Sequence, residues 1–175
     1  SGVLRLKLNN DDSVTVNMGV PQLDPEKLPF KAEAQSESYE LCVKGFDAVT
    51  IGAVSMGNPH AVINVKDVKT APVHELGSLV EKHERFPEKV NVGFSQKVND
   101  HEINLRVFER GCGETLACGT GACAAVVAGI VQHRLVSPVK VNLPGGSLNI
   151  SWDGKNSPVM MSGPAVLVYE GQIVI

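Results

Sequence analysis

The densest chemistry in this chain lies in one run, Glu109-Arg110-Gly111-Cys112-Gly113-Glu114-Thr115-Leu116-Ala117-Cys118-Gly119-Thr120-Gly121, followed at once by the apolar stretch Ala122 to Val131. That order places Cys118 at a predicted helix start. Unpaired backbone N–H groups and the positive end of the helix dipole converge there, which favours thiolate over thiol and also favours a bound anion. Gly119 and Gly121 carry no side chain, so a substrate carboxylate has access to the N–H groups of Gly119 and Thr120. One short segment would then offer a base and a carboxylate cradle together. Position alone leaves a second reading open, because a free cysteine is also among the most buried residue types and often serves as a small hydrophobe. Cys123, inside the apolar run, and Cys42, in an alternating segment, fit that structural role.

The remaining composition narrows the chemistry. The four cysteines, Cys42, Cys112, Cys118 and Cys123, follow neither a disulfide framework nor the paired C-x-x-C spacing of zinc sites. The chain has 175 residues, a formal charge of -3 and no window that concentrates Lys and Arg. A nucleic-acid partner is therefore not expected. No apolar run approaches the ~18 residues of a membrane span, and the N-terminus lacks a signal-peptide pattern. A soluble, cytoplasmic protein without membrane contacts is the expectation.

Two segments read as helices, 73–85 and 121–135. The second, which includes Ala122-Cys123-Ala124-Ala125-Val126-Val127-Ala128-Gly129-Ile130-Val131, is apolar on every face. A helix of that kind must be buried on all sides. Alternating segments predict a hairpin over residues 1–18 and strands at 38–46, 47–55, 60–65, 91–98, 101–108, 139–143, 147–152, 159–162 and 165–168. Asn99-Asp100 and Gly145-Gly146 supply turns. The fold class that reconciles these patterns is α+β: a central buried helix wrapped by a curved, mainly antiparallel sheet. Ser1-Gly2 leads straight into the alternating run Val3 to Leu8 without an initiator Met, which reads as the interior of a longer architecture.

The stretch Glu109 to Ala125 closely resembles the second catalytic-cysteine motif of diaminopimelate epimerases. Other matching motifs follow in chain order: Ser55-Met56-Gly57-Asn58-Pro59-His60, Phe86-Pro87-Glu88-Lys89-Val90-Asn91 and Leu143-Pro144-Gly145-Gly146-Ser147-Leu148. The resemblance covers essentially the whole chain. It implies an isomerase that interconverts LL- and meso-diaminopimelate with neither pyridoxal phosphate nor metal, one cysteine thiolate removing the α-proton while a second thiol delivers another from the opposite face. Cys118 matches one of the two. The other belongs to a homologous N-terminal domain, in a Cys-Gly-Asn-Gly motif absent from this sequence.

The resemblance further implies that His60 and Glu109 tune the two cysteines. It assigns Asn58, Asn91, Glu109 and Arg110 to the far amino-acid end of the substrate, a role that suits a bidentate guanidinium and amide or carboxylate oxygens. Gly119 and Thr120 would bind the reacting carboxylate, as the helix-start reading also suggests. Intact family members are dimers, with a tyrosine matching Tyr169 at the interface. Cys112 departs from the family pattern, standing where a small residue, commonly Ala, is expected. Residues 19–163 are expected to form the compact domain, with 1–18 and 164–175 belonging to the missing N-terminal domain and the isolated chain inactive. Two other functions remain in view: a proline- or hydroxyproline-type racemase, and a noncatalytic binding domain.

Overall fold

The computed structural model describes residues 5–154, 156–166 and 168–173. Its described strands form one mixed sheet of 11, and two α-helices accompany them, which makes the chain α+β. In chain order the strands are β1 (Arg5–Leu8), β2 (Ser13–Asn17), β3 (Tyr39–Leu41), β4 (Val49–Ser55), β5 (Pro59–Asn64), β6 (Asn91–Asn99), β7 (Glu102–Glu109), β8 (Gly113–Thr115), β9 (Val139–Leu143), β10 (Gly146–Ser151) and β11 (Met160–Pro164). The helices are α1 (Val73–Glu81) and α2 (Gly119–Val131). The sheet runs β1-β2-β11-β10-β9-β7-β6-β5-β4-β3, with β8 attached to β7. All pairings are antiparallel except β5 with β6 and β7 with β9.

Period-two alternation explains how the middle strands serve two cores, since successive side chains leave a strand on opposite faces. Val54 of β4, Val62 of β5 and Ile103, Leu105 and Val107 of β7 pack with α2. Ile51 and Ala53 of β4, Ala61 and Ile63 of β5, and Val92 and Phe94 of β6 pack instead with Val73, Leu76 and Val80 of α1. Both faces of β4 and β5 are thus covered, and the strands are accordingly apolar nearly throughout. Helix α2 is buried from Gly121 to Gly129 and touches β4, β5, β6, β7, β9 and β10.

Several boundaries differ from the sequence expectation, each for a local reason. Helix α1 stops at Glu81 rather than 85, because the chain turns back so that Phe86, ahead of Pro87, is buried in the core. Helix α2 begins two residues earlier than expected, with Cys118 as its N-cap, and ends at Val131. There His133 adopts a left-handed φ of 55°, and the N–H groups of Arg134 and Leu135 return to the Gly129 carbonyl. The expected strand over 38–46 shortens to β3, and Cys42 beyond it is exposed rather than core. An irregularity between Lys97 and Asn99 moves the β6–β7 turn by one residue, to Asp100-His101.

At the termini, β2 pairs with β11 in the register Met161↔Val16, and Val159 carries the pairing on to Met18 and Gly19. Residues 165, 166 and 168 are not in a strand, and the expected strand residues 3, 4, 167 and 174 lie outside the described set. Among the described residues no helix is long and apolar enough to cross a membrane.

Candidate active site

Glu109 is the last residue of β7, and β8 folds back on it with Glu109 opposite Gly113. This reversal brings Thr115 within reach, and its hydroxyl donates to Glu109 Oε1 at 2.6 Å. Three residues later the chain enters α2 at Cys118, whose Sγ donates to the other carboxylate oxygen, Oε2, at 3.2 Å. Both oxygens of Glu109 are therefore engaged, one by a hydroxyl and one by the thiol. Gly121 makes the arrangement possible: a Cβ there would lie 3.2 Å from Cys118 Sγ and 3.2 Å from Val107 Cγ2.

From Cys118 the hydrogen bonding continues to the β4–β5 turn. Cys118 Sγ lies 3.7 Å from Thr120 Oγ1, which accepts from Asn58 Nδ2 at 3.4 Å. With its amide nitrogen turned to Thr120, Asn58 presents Oδ1 to His60 Nε2 at 3.1 Å. His60 must therefore donate through Nε2, which leaves Nδ1 as an acceptor. That Nδ1 is buried without a partner among the described residues. Six side chains, His60, Asn58, Thr120, Cys118, Glu109 and Thr115, thus form one connected path.

Asn91 and Arg110 flank this path. The parallel register sets Asn91 of β6 beside His60 of β5. Its Nδ2 donates to the Pro59 carbonyl at 3.0 Å and its Oδ1 accepts from the Arg110 N–H at 2.9 Å. Asn91 is buried, so the structure uses it chiefly as a strut under Arg110. The Arg110 side chain is exposed and donates from Nη1 to the Glu88 carbonyl at 2.8 Å. Among the described residues its other donors have no hydrogen-bond partner.

The electrostatics correct one expectation. The helix start was expected to favour the Cys118 thiolate, yet burial raises this thiol above its usual pKa, with the Glu109 carboxylate adding to the rise. The Thr120 hydroxyl and the Gly121 backbone oppose that rise without cancelling it. Loss of water thus outweighs the helix dipole, and the resting group is a thiol hydrogen-bonded to a carboxylate. His60 is pushed down to about 3 by burial and then by the positive charge of Arg110, so its ring is neutral. Burial drives Cys123 up to about 12, in keeping with a core residue.

Helix geometry leaves the N–H groups of Gly119 and Thr120 without intrahelical acceptors, beside Cys118. His60, Asn58, Glu109, Thr120 and Cys118 are thus brought together, with Gly119, Asn91 and Arg110 adjoining them. Tyr169 stands apart, exposed and outside any strand. Cys112 is exposed in the β7–β8 turn. Thr115 was not anticipated. The sequence did hold a signal, since Gly111 and Gly113 around the motif imply a tight reversal that returns Thr115 to the strand bearing Glu109.

The sequence profile of the family described as diaminopimelate epimerase matches residues 52–168. The diaminopimelate epimerase of Pseudomonas fluorescens is 56% identical over 173 residues, covering 99% of this chain and 62% of its own length. That of Pseudomonas aeruginosa strain LESB58 is 56% identical over 172 residues, covering 98% of this chain and 62% of its own length. Among solved structures, a hydroxyproline epimerase from Agrobacterium vitis superposes with a TM-score of 0.62 at 14% identity, over 92% of this chain and 52% of that one. A probable proline racemase from Agrobacterium radiobacter gives 0.61 at 13% identity, over 94% and 54%. At those identities the superpositions establish the fold alone. The sequence relatives are far closer, although this chain spans only 62% of their length. Taken with the Glu109–Cys118 pair at the head of α2, the profile match and the 56% identity place the chain in the diaminopimelate epimerase family.

Proposed function

We propose that this chain supplies one face of a two-base active site that interconverts LL- and meso-diaminopimelate without a cofactor. The observation that carries the reading is the Cys118 thiol, 3.2 Å from the Glu109 carboxylate at the start of α2. Inversion at a carbon needs a base on one face and an acid on the other. In one direction the Cys118 proton passes to Glu109, and the resulting thiolate abstracts the α-proton. In the other direction the thiol delivers its proton to the carbanion and is left a thiolate, which is reprotonated from solvent after product leaves. A raised pKa suits this use, since a thiol held protonated until substrate excludes water is a competent acid and becomes a strong base once ionised.

The second acid/base group, a cysteine, comes from a further domain of a longer protein. His60 is ready for it: a neutral ring with a buried, unused Nδ1 lone pair is suited to accept an S–H from the opposite side. In this reading Gly119 and Thr120 N–H groups hold the reacting carboxylate, and Arg110, supported by Asn91, holds the far one. Asn58 and Glu109 accept from the ammonium groups. Helix α2 is then the central helix of this half, wrapped by the sheet, and β1, β2 and the segment after β11 belong with the missing domain. Tyr169 contributes to a homodimer interface, and the enzyme works in the cytoplasm.

The test is turnover of LL-diaminopimelate by the complete gene product and by its Cys118→Ala variant. The proposal expects epimerisation by the former and none by the latter. Normal turnover by Cys118→Ala would remove Cys118 from the reaction.

A further inference from the structure

Arg110 is the residue through which this site would recognise the remote carboxylate, and the turn that carries it is held from an unexpected direction. Glu81, the last residue of α1, is only 4% exposed, and charged residues are rarely buried so far without a specific partner. Its Oε1 accepts from the Gly111 N–H at 2.9 Å, immediately after Arg110, and lies 3.9 Å from Lys89 Nζ. Its backbone carbonyl accepts from the Val90 N–H at 3.1 Å. Glu81 therefore grips two segments at once, the Arg110 turn and the stretch from Glu88 to Val90.

Both segments determine where the guanidinium lies. Gly111 has a left-handed φ of 78°, which reverses the chain directly after Arg110, and the Glu81 carboxylate holds the N–H of that same residue. Lys89 also has a left-handed φ, 61°, uncommon for a residue with a side chain, and the carbonyl just before it, that of Glu88, receives Arg110 Nη1 at 2.8 Å. From the other side Asn91 Oδ1 holds the Arg110 N–H at 2.9 Å. The backbone of Arg110 is thus pinned by Asn91 before it and Glu81 after it, while its side chain rests on a carbonyl in a segment that Glu81 also fixes.

We propose that Glu81 is a positioning residue for recognition of the carboxylate at the end of the substrate remote from the reacting carbon, acting through the Arg110 turn and the Glu88–Val90 segment. The proposal rests on the reading of Arg110 given above. Removal of the Glu81 acceptor frees the Gly111 N–H and lets the guanidinium wander, so remote binding weakens while the Cys118–Glu109 pair stays in place.

The experiment uses the complete gene product and LL-diaminopimelate. Glu81→Ala and Glu81→Asp, the latter keeping the charge but drawing the acceptor back by one methylene, are expected to raise KM about tenfold with kcat changed less than about threefold. Glu81→Gln keeps an acceptor oxygen at the same reach and should restore KM to near the parent value. On an Arg110→Met background, Glu81→Asp should add almost nothing, because its effect passes through Arg110. A merely structural Glu81 would lower Tm while leaving KM unchanged and independent of Arg110; that result would overturn the proposal. If instead Arg110→Met itself leaves KM unaltered, the reading of Arg110 fails, and the two failures are told apart.

Discussion

Replacing Glu109 with Gln should make Cys118 more reactive toward an electrophile while destroying its use in catalysis. In the parent the thiol donates to Glu109 Oε2 at 3.2 Å, and the carboxylate charge also disfavours the thiolate. A hydrogen bond to a charged partner is worth about 1.5–3 kcal/mol, and each 1.36 kcal/mol is a tenfold change, so the thiolate fraction below the pKa should rise roughly ten- to a hundredfold. Nucleophilicity falls as a thiol becomes more acidic, with a Brønsted coefficient of about 0.4–0.5, which leaves a net acceleration of about three- to tenfold. Burial is the same in both proteins and cancels from the ratio. The assay is the rate of iodoacetamide labelling at neutral pH, followed by mass spectrometry of the peptide containing Cys118. Exposed Cys42 and Cys112 are replaced by Ser; Cys123, fully buried and pushed up to about 12, does not compete. In the complete enzyme the same substitution should cost about a hundredfold or more in turnover, since the Cys118 proton has lost its acceptor. Labelling that slows or stays constant would mean that Glu109 does not hold the thiol protonated.

Other perturbations separate chemistry from packing. Cys123→Ala should lower stability by about 1 kcal/mol in a denaturant titration and leave turnover nearly intact, since this thiol is enclosed in the α2 core. Gly121→Ala gains up to about 1 kcal/mol of helix propensity and loses about 1–3 kcal/mol to crowding against Sγ and Val107. Its Tm should thus fall only modestly, whereas displacement of the thiol should cut turnover by about a hundredfold; equal losses in both would show that Gly121 matters only for packing. His60 gives a pH signature. Its folded pKa, about 3, lies below the ordinary value of 6.5, so the unfolded chain binds the extra proton between those limits. Stability is therefore full above about pH 6.5 and falls on acidification toward pH 3, by up to about 1.4 kcal/mol per pH unit, and His60→Gln should flatten that slope. An unchanged slope in urea titrations across this range would exclude His60 as its source.

The elements that position the site were legible where pattern and burial agree. The uninterrupted apolarity of Ala122 to Ala128 marked a helix, and those residues are buried in α2, while the strand β9 (Val139–Leu143) matched its alternation at both ends. What escaped the sequence depends on long-range neighbours. The three residues of β8 are too few to show a period, and they are a strand only because β7 lies beside them. Helix α1 reads as helical beyond Glu81, but Phe86 gains more from the core than from a further helical turn. Cys118, Glu109 and Thr120 were identified from a single motif, since the turn and helix start bring them together locally. Thr115 and the return of Glu81 to Gly111 N–H were not, the second because it spans 30 residues. The ionisation of Cys118 was misjudged for a related reason: a helix dipole is visible in sequence, whereas the burial that opposes it is not.

On the proposed function this chain carries one acid/base face and needs another. The most direct test is α-proton exchange in deuterated water, with the purified 175-residue chain and LL-diaminopimelate, followed by NMR at the α-carbon and by chiral analysis. No sustained exchange with inversion is expected from the chain alone, and it should appear when the remaining domain is supplied in trans. Sustained exchange with inversion by this chain alone would contradict the need for a second face.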